Sequence, residues 1–252
     1  MAELVEGPHA ATVERVTVTG TDGTDVESIL ARPEGNAVAG IVVHPDLLGV
    51  RPLFDDLCGR VASHGYAVCA PEPFARAPDD VRLATLPVPR MGFVNQLDDD
   101  LQLGDLARAA DLLRGVDGVG EVFVLGFCMG GMQTLKAAAT GAFARAVSFY
   151  GMIRLPEGWR GGRVREPLAT AADVCPTLAI FGGVDAYTPV ADIEALRKAW
   201  ADRDDCEIVV YEEADHGFVH APERPAHRPD DAAVAWRRTL EFLAREPPRN
   251  HR

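Results

Sequence analysis

The segment EVFVLGFCMGG, residues 121–131, decides the fold, and the helical pattern MQTLKAAATGA follows it directly. An apolar extended run that stops at glycine and gives way at once to a helical pattern predicts a strand, a sharp turn and a helix. Residues 126–130 of that turn, GFCMG, match the nucleophile-elbow pattern G-x-S-x-G, with Cys128 in the place of serine. An elbow projects its central side chain above the sheet, so Cys128 is a candidate nucleophile.

Small residues flank Cys128, as a sharp turn requires. Gly126, Gly130 and Gly131 meet that steric requirement. The N-terminus of the following helix favours the thiolate, which is the nucleophilic form of cysteine. The same pattern also fits a glycine-rich turn that holds a buried cysteine, or a turn that binds phosphate. The elbow alone therefore leaves the role of Cys128 open.

Short apolar runs alternate with helical patterns along the chain. Strands are predicted at 15–20, 26–33, 39–45, 66–72, 121–127, 145–151, 176–183 and 206–213. Helices are predicted at about 52–64, 97–115, 129–140, 191–201 and 230–245. This alternation indicates an α/β fold in which a mostly parallel sheet carries helices on both faces, and the first two strands could form an antiparallel edge.

The chain has 252 residues and a formal net charge of −13. We expect a single α/β domain over 1–252, with a structured core over about 12–245 and a frayed tail at 246–252. An acidic surface repels nucleic acid and anionic membranes, so the expected partner is a small molecule. The N-terminus lacks a basic start followed by an apolar run, which predicts a cytoplasmic protein that is not bound to a membrane.

Five cysteines are scattered along the chain, at Cys58, Cys69, Cys128, Cys175 and Cys206. Their odd number and the lack of CxxC spacing predict neither a disulfide framework nor a zinc site, so we expect no metal. The four cysteines other than Cys128 are expected to be ordinary thiols of the core or of its edge.

A nucleophilic cysteine needs a base, and the base needs an acceptor that orients it. Asp185 follows the predicted strand TLAIFGG, and His216 follows the predicted strand CEIVVYE. Cys128, Asp185 and His216 thus occur in the order nucleophile, acid, histidine that is typical of the α/β-hydrolase fold. Taken singly, the aspartate could start a turn or cap a helix, and the histidine could lie on the surface. The shared order and context favour a catalytic triad, with Asp215 as a minor alternative acid.

The oxyanion of an acyl-transfer intermediate needs two hydrogen-bond donors. The N–H of Met129, directly after the nucleophile, is the first donor in an elbow of this kind. The segment IVVHPDLLGV leaves a predicted strand at His44 and enters the loop that supplies the second donor in this fold. We therefore predict an oxyanion hole formed by the backbone N–H groups of Met129 and Leu47.

Two segments, 73–93 and 152–174, lack a clear period. Both follow predicted strands, and the loops after the carboxyl ends of parallel strands surround the ligand crevice. We therefore expect both segments to face the substrate, although solvated connections often have a similar composition.

Together these segments resemble the dienelactone hydrolase family of α/β-hydrolases, whose members are also called carboxymethylenebutenolidases. The resemblance extends over nearly the whole chain and is carried by GFCMGG, GGVDAYTPV, YEEADHGF, HGYAVCAPEPFAR and HPDLLGVRP. It implies a compact α/β-hydrolase of about seven to eight strands without a large cap. It also implies that the triad opens an enol-ester lactone of aromatic degradation, such as 4-carboxymethylenebut-2-en-4-olide, to maleylacetate through a Cys128 acyl-enzyme and without a cofactor.

Two positions depart from the family pattern. Asp46 stands where the family has a glutamate that holds and activates the nucleophile, so Asp46 is the candidate for modulation of Cys128. His220 stands four positions after His216, where the best-known members have an arginine that clamps the substrate carboxylate.

The other substrate contacts cannot be assigned by motif. Arg76, Arg82 and Arg90 all lie in the first aperiodic segment, and the second contains further arginines that could instead form a solvated basic patch. The predicted substrate-binding residues are Arg76, Arg90, Tyr150 and His220.

The expected partner is a small ester or lactone, which could be anionic, and the chain could be a monomer or a homodimer. One alternative is a promiscuous carboxylesterase or lactonase that acts on other activated esters. An alternative of a different class is a non-catalytic protein that binds a small ligand and carries a redox-sensitive Cys128. The order of the triad argues against a binding protein, because binding does not require it.

Overall fold

A computed structural model describes residues 4–245, and the tail at 246–252 lies outside the described residues. The strands are Ala11–Thr19 (β1), Asp25–Pro33 (β2), Ala39–His44 (β3), Tyr66–Pro71 (β4), Val122–Phe127 (β5), Ala146–Phe149 (β6), Thr177–Gly182 (β7) and Cys206–Tyr211 (β8). The helices are Pro52–Ser63 (α1), Asp79–Arg82 (α2), Pro87–Phe93 (α3), Asp99–Arg114 (α4), Met129–Ala137 (α5), Val190–Ala199 (α6) and Pro229–Leu243 (α7).

The eight strands form one sheet in the order β1-β2-β4-β3-β5-β6-β7-β8. The pairs β1/β2 and β2/β4 are antiparallel, and every other neighbouring pair is parallel. Strands β3 to β7 are buried along their whole length, as strands covered on both faces must be. The predicted α/β-hydrolase fold, with a mostly parallel sheet and an antiparallel edge, is confirmed.

Two apolar clusters cover opposite faces of the sheet. One buries Phe54 of α1 and Trp236 of α7, and the other buries Leu106 of α4 and Leu196 of α6. Neighbouring residues of β3 join alternate clusters, because successive strand side chains point to opposite faces. Within residues 4–245, no helix has the length and apolar character needed to cross a membrane.

The two aperiodic segments contain short regular elements that the sequence pattern does not predict. The segment 73–93 includes α2 and α3, and α3 begins at Pro87, whose fixed φ suits a first helical turn. The segment 152–174 includes 3₁₀ turns at Glu157–Trp159 and Pro167–Asp173. These elements span at most about two helical turns, which is too few for an apolar period to be recognised in the sequence.

The carboxyl ends of β5, β7 and β8 lie at one edge of the sheet, because the three strands run parallel. Cys128, Asp185 and His216 each lie in the connection that follows one of these strands. A third apolar cluster, which includes Phe74 and Trp159, lies under the surrounding loops, and Cys128 packs against it. The fold therefore brings the three predicted triad residues to one place.

Candidate active site

Cys128 lies at the junction of β5 and α5 with φ of +58° and ψ of −119°. A positive φ is uncommon for a residue other than glycine and often marks strain at a functional site. The Cys128 N–H donates to the Phe149 carbonyl at 3.0 Å. A Cβ on Gly126 would lie 2.2 Å from the Gly130 carbonyl oxygen, and one on Gly130 would lie 2.2 Å from that of His44. Glycine is therefore required on both sides of the elbow.

His216 and Asp185 form a buried pair. Nδ1 of His216 lies 2.8 Å from Oδ2 of Asp185, and the other carboxylate oxygen accepts the Tyr187 N–H at 2.7 Å. This arrangement leaves Nε2 of the ring for Cys128. The carboxylate of Asp215, the alternative acid, instead accepts the backbone N–H of His216 at 2.7 Å. Asp185 is therefore the carboxylate that orients the imidazole.

The charge state of His216 depends on its two neighbours. Burial lowers the pKa of His216, but the negative charge of Cys128 and hydrogen bonds with Asp185 and Cys128 together raise the pKa to about 10. The rings of Tyr187 and Tyr150 pack against the imidazole, with centroids 4.9 Å and 5.2 Å away. An imidazolium is thus the stable form of His216 while the sulfur is anionic.

Two backbone donors beside Cys128 are unpaired. Within residues 4–245, neither the Leu47 N–H nor the Met129 N–H makes a hydrogen bond. Both residues are buried in the cluster against which Cys128 packs. They are the donors predicted for the oxyanion hole, and the structure leaves both of them available to a developing oxyanion.

A cavity of about 310 Å³ opens above Cys128. Its lining residues are Asp46, Leu47, Leu48, Arg51, Pro87, Met91, Cys128, Met152, Trp159, Tyr187, His216, Ala221, Glu223 and Arg224. Both aperiodic segments contribute to this wall, through Pro87 and Met91 on one side and Met152 and Trp159 on the other. The wall is mostly apolar, with a few charged groups, as is usual for small-molecule sites.

Asp46 lines the cavity but is engaged elsewhere. Arg51 donates to both carboxylate oxygens, at 2.6 and 2.8 Å, while the Leu48 N–H and His220 Nε2 lie at 2.9 and 2.8 Å. Burial raises the pKa of Asp46, but His220 and Arg51 more than offset this and bring the pKa below its ordinary value. Among the described residues, Asp46 makes no hydrogen bond to Cys128. No direct hydrogen bond therefore supports the predicted modulation of the nucleophile by Asp46.

Neither arginine predicted to bind substrate lines the cavity. Arg76 pairs with Asp22 at 2.7 Å and with Asp105 at 2.6 Å. Arg90 is buried and pairs with Glu72 at 2.8 Å. The expectation that these arginines clamp a substrate is therefore corrected, because carboxylates of the protein already occupy both guanidinium groups.

His220 and Tyr150 are also buried away from the cavity. The His220 ring stacks on Phe127 with centroids 4.7 Å apart, and its Nδ1 is hydrogen-bonded to the Tyr150 hydroxyl. Burial lowers the pKa of His220 despite its bond to Asp46. The prediction that His220 and Tyr150 contact the substrate directly is corrected: both are part of the protein's own hydrogen-bond network.

Two other arginines, which the sequence reasoning missed, line the cavity. Arg51 directly follows the loop from Asp46 to Val50, here called the oxyanion loop, within the motif HPDLLGVRP. Its place beside the site could therefore have been inferred from that motif. Arg224 is exposed at the rim, and its guanidinium lies against Gly217, where a Cβ would be 2.2 Å from Nη1. Gly217 has φ of +81° and directly follows His216. No pattern in the sequence around Arg224 indicates this position.

Three arginines of the second aperiodic segment, 152–174, do not line the cavity. Arg154, Arg163 and Arg165 of the second aperiodic segment pair with carboxylates outside it. Within residues 4–245, no three His, Cys, Asp or Glu side chains are grouped closely enough to hold a metal ion.

The sheet topology and the elbow after β5 define an enzyme of the α/β-hydrolase fold. A family model described as the dienelactone hydrolase family matches residues 26–246, and the chain belongs to that family. It is a hydrolase that acts on carboxylic ester bonds.

Similar proteins cover almost the whole chain. A "Putative carboxymethylenebutenolidase" of Salmonella typhimurium is 31% identical over 247 residues, which cover 96% of this chain and 90% of that protein. The carboxymethylenebutenolidase of Rhodococcus opacus is 32% identical over 234 residues, 89% of this chain and 88% of that one. The crystal structure of a "Putative Dienelactone Hydrolase" from Klebsiella pneumoniae has a TM-score of 0.85 at 28% identity, with 94% of this chain and 100% of that chain covered.

Proposed function

We propose that this hydrolase opens an enol-ester lactone, such as 4-carboxymethylenebut-2-en-4-olide, to maleylacetate through an acyl thioester on Cys128. The observation that carries the proposal is the position of Cys128. It is an elbow cysteine that interacts with a buried His216–Asp185 pair, beside two unpaired backbone N–H groups and at the base of a mostly apolar cavity. These are the parts that nucleophilic acyl transfer requires.

In the first half-reaction, the Cys128 thiolate attacks the lactone carbonyl carbon and forms a C–S bond. The carbonyl oxygen becomes an oxyanion, which the N–H groups of Leu47 and Met129 stabilise. Collapse of this intermediate breaks the ring C–O bond and releases an enolate that stays attached to the acyl chain. His216, as imidazolium, supplies the proton that the enolate takes up.

In the second half-reaction, water attacks the thioester. Neutral His216 accepts a proton from the water as its oxygen bonds to the acyl carbon, and the same two N–H groups stabilise the second oxyanion. The C–S bond then breaks, the product leaves as a carboxylic acid or carboxylate, and the thiolate and imidazolium pair is restored. Asp185 keeps the ring in the orientation that serves both steps.

An enol ester suits a cysteine nucleophile. A thiolate is itself a good leaving group, so a tetrahedral intermediate with an alkoxide partner tends to return to thiolate and ester. An enolate is expelled far more easily than an alkoxide, so the same intermediate proceeds to thioester. The cysteine in GFCMGG therefore supports activated esters as substrates over ordinary alkyl esters.

Arg224 supports an anionic substrate, although the carboxylate of Glu223 also lines the cavity. The Arg51 guanidinium already holds Asp46, whereas Arg224 makes no side-chain hydrogen bond or ion pair within the described residues. Its guanidinium lies against Gly217, next to the triad histidine. We assign Arg224 as the group that binds the substrate carboxylate, a role that the family gives to an arginine four positions after the histidine.

A second candidate function is a carboxylesterase or lactonase for other activated esters. The apolar wall formed by Met91, Met152, Trp159 and Tyr187 favours it, because such a wall can hold an aryl or alkyl group that the small lactone lacks.

The test is lactone loss, followed by ultraviolet absorbance, for the wild type and Cys128→Ala, with p-nitrophenyl acetate in parallel. The proposal predicts rapid lactone loss that Cys128→Ala abolishes. Cys128-dependent turnover of the acetate alone would support the carboxylesterase. Turnover of neither ester, with a fully alkylatable Cys128, would favour the binding protein.

A further inference from the structure

We propose that two buried hydrogen-bond systems clamp the oxyanion loop, Asp46 to Val50, and that His220 and Arg90 are positioning residues that act through this loop. The inference rests on the proposed function, because it concerns the donor that Leu47 supplies to the oxyanion. It gives a new role to His220 and Arg90, two side chains that the sequence analysis predicts to bind substrate.

The first clamp joins the oxyanion loop to the loop of the triad histidine. Nε2 of His220 lies 2.8 Å from Oδ2 of Asp46, and the other oxygen of Asp46 accepts the Leu48 N–H at 2.9 Å. The Gly49 N–H donates to the Asp46 carbonyl at 2.9 Å. The carboxylate of Asp46 thus shapes the turn around Leu47, and His220 and Arg51 together hold that carboxylate in place.

In this clamp, the neutral His220 ring links the Tyr150 hydroxyl to the Asp46 carboxylate, and we call this chain of hydrogen bonds the relay. It is fully buried, and burial lowers its pKa. Burial also raises the pKa of Tyr150, so the Tyr150 hydroxyl stays protonated and donates to Nδ1, while the Nε2–H donates to Asp46. The Tyr150 ring in turn packs edge-on against His216. The relay therefore connects the oxyanion loop to the triad without touching the substrate.

The second clamp holds the far end of the loop. The Val50 N–H donates to Oε2 of Glu72 at 2.7 Å, and Oε1 of Glu72 accepts from Arg90 Nη1 at 2.8 Å. Both charged side chains are buried, at 6% and 4% exposure. Gly49 has φ of +66°, and a Cβ there would lie 2.4 Å from Glu72 and 2.3 Å from Arg90. The ion pair thus packs directly on the loop backbone.

These contacts pair the N–H groups on the carboxyl side of Leu47 and leave its own N–H unpaired. The N–H groups of Leu48, Gly49 and Val50 all have acceptors, whereas the Leu47 N–H has none within the described residues. A donor that is fixed but unpaired is what a preorganised oxyanion hole needs. Loss of either clamp should therefore weaken transition-state stabilisation and leave ground-state binding largely intact.

The variants are His220→Phe, which keeps a stacked ring but removes both hydrogen bonds, and Arg90→Met, with Arg90→Lys as its conservative rescue. Tyr150→Phe removes one hydroxyl from the relay and remains informative if a more severe variant does not fold. The control is Arg76→Met, since Arg76 has the same chemistry in the same segment but pairs with Asp22 and Asp105.

Three quantities are measured for each variant: kcat and KM with p-nitrophenyl acetate, the rate of Cys128 alkylation by iodoacetamide, and deuterium uptake at 46–50. Alkylation forms no oxyanion, so it reports the thiolate and not the oxyanion hole. A loosened clamp displaces one oxyanion donor without removing it. We therefore expect kcat to fall about ten- to a hundredfold, less than the roughly 10²–10³-fold fall in kcat that complete loss of a donor causes. In His220→Phe and Arg90→Met, KM and the alkylation rate should change little, and deuterium uptake at 46–50 should rise. The fall in kcat and the rise in uptake should be smaller in Tyr150→Phe and partly reversed in Arg90→Lys. Arg76→Met should show none of these changes.

Alkylation that falls in parallel with kcat would overturn the inference, because the residues would then act on the thiolate. A rise in KM alone, with unchanged uptake, would also overturn it and return His220 or Arg90 to substrate binding. If the wild type hydrolyses no ester, the proposed function fails by itself, and uptake at 46–50 still decides whether the clamps exist.

Discussion

The protonation state of His216 depends on Cys128 and Asp185, so the imidazole cannot be understood alone. The largest favourable contribution to the imidazolium comes from the Cys128 charge, followed by the hydrogen bond to Asp185, and both act against the effect of burial. A buried charge is stable only when it is paired. The raised pKa of His216 therefore depends on three side chains that follow three different strands.

The first prediction concerns the titration of His216, followed by NMR of its ring. With a pKa of about 10, the imidazole keeps its proton as the pH rises from 7 to 9 and loses it only above that. Cys128→Ala removes the negative partner, so burial should then dominate and deprotonation should move to lower pH by at least about 2 units. Cys58→Ala, which alters a buried cysteine on another element, is the control. An unchanged His216 titration in Cys128→Ala would rule out the ion pair.

The second prediction concerns Arg224 and the charge of the substrate. Arg224→Gln should raise KM for the anionic lactone at least about tenfold, since a charged hydrogen bond contributes about 1.5–3 kcal/mol. The kinetics with neutral p-nitrophenyl acetate should change less than about twofold. Arg154→Gln, which removes a cation paired with Asp192 outside the cavity, is the matched control. Equal loss with both esters would argue against a carboxylate-binding role.

Residue types and chain order were enough to predict that Cys128, Asp185 and His216 come together, because each follows a recognisable strand. The substrate contacts were not predictable in this way. Arg76 and Arg90 had the right charge in the right segment, but only coordinates show that Asp105 and Glu72 neutralise them. Charge and chain position do not determine which partner a side chain finds.

At the scale of elements, the elbow depends on close backbone contacts between α5 and the ends of β3 and β6. A Cβ on Gly130 would lie 2.2 Å from the His44 carbonyl oxygen, and one on Gly131 would lie 2.6 Å from that of Phe149. Backbone atoms of buried strands cannot move aside as a flexible side chain can. Glycine is therefore needed for packing here, beyond any need of the turn itself.

The third prediction is that Gly130→Ala destabilises the fold by about 3 kcal/mol or more, because overpacking of a rigid contact forces the backbone apart. Urea unfolding measures the change. Gly92→Ala is the control, since Gly92 lies in α3 with open space around it, and alanine there should stabilise slightly, by about 0.5 kcal/mol. Equal stability of the two variants would contradict the packing argument.

The elements with a recognisable sequence pattern were predictable, and the short helices were not. Helix α4 carries an apolar pattern over several turns, and strands β3 and β5 are continuous apolar runs. The predicted bounds of all three agree with the structure to within a few residues. Helices α2 and α3 form because of local turns and a proline, and their apolar faces are too short to show a period. Helix α3 supplies part of the cavity wall, through Pro87 and Met91, so the substrate pocket is the least predictable part of the molecule.

At the scale of the whole molecule, burial is graded across the sheet. Strands β3 and β5 are buried at every residue, whereas β8 is only partly buried along its length and β1 is largely exposed. The triad residues follow β5, β7 and β8, so the nucleophile and the acid follow fully buried strands, whereas the histidine follows a partly buried edge strand.

The fourth prediction is a matching gradient in native-state hydrogen exchange. Amides of β3 and β5 should exchange only through global unfolding, and those of β1 and β8 should have protection free energies at least about 2 kcal/mol lower. As denaturant is added, the amides of β1 and β8 should lose their protection from exchange before those of β3 and β5. Protection of β8 equal to that of β5 would contradict the graded core.

The central claim is that Cys128 forms a covalent acyl-enzyme, and rapid acid quench with mass spectrometry tests it most directly. Enzyme is mixed with excess lactone, quenched within milliseconds and digested, because a thioester survives acid. Ring opening keeps the leaving enolate attached, so the account predicts an adduct of the full lactone mass on the peptide that contains Cys128, and no adduct or turnover in Cys128→Ala. An adduct on another residue, or lactone turnover by Cys128→Ala at the wild-type rate, would contradict it.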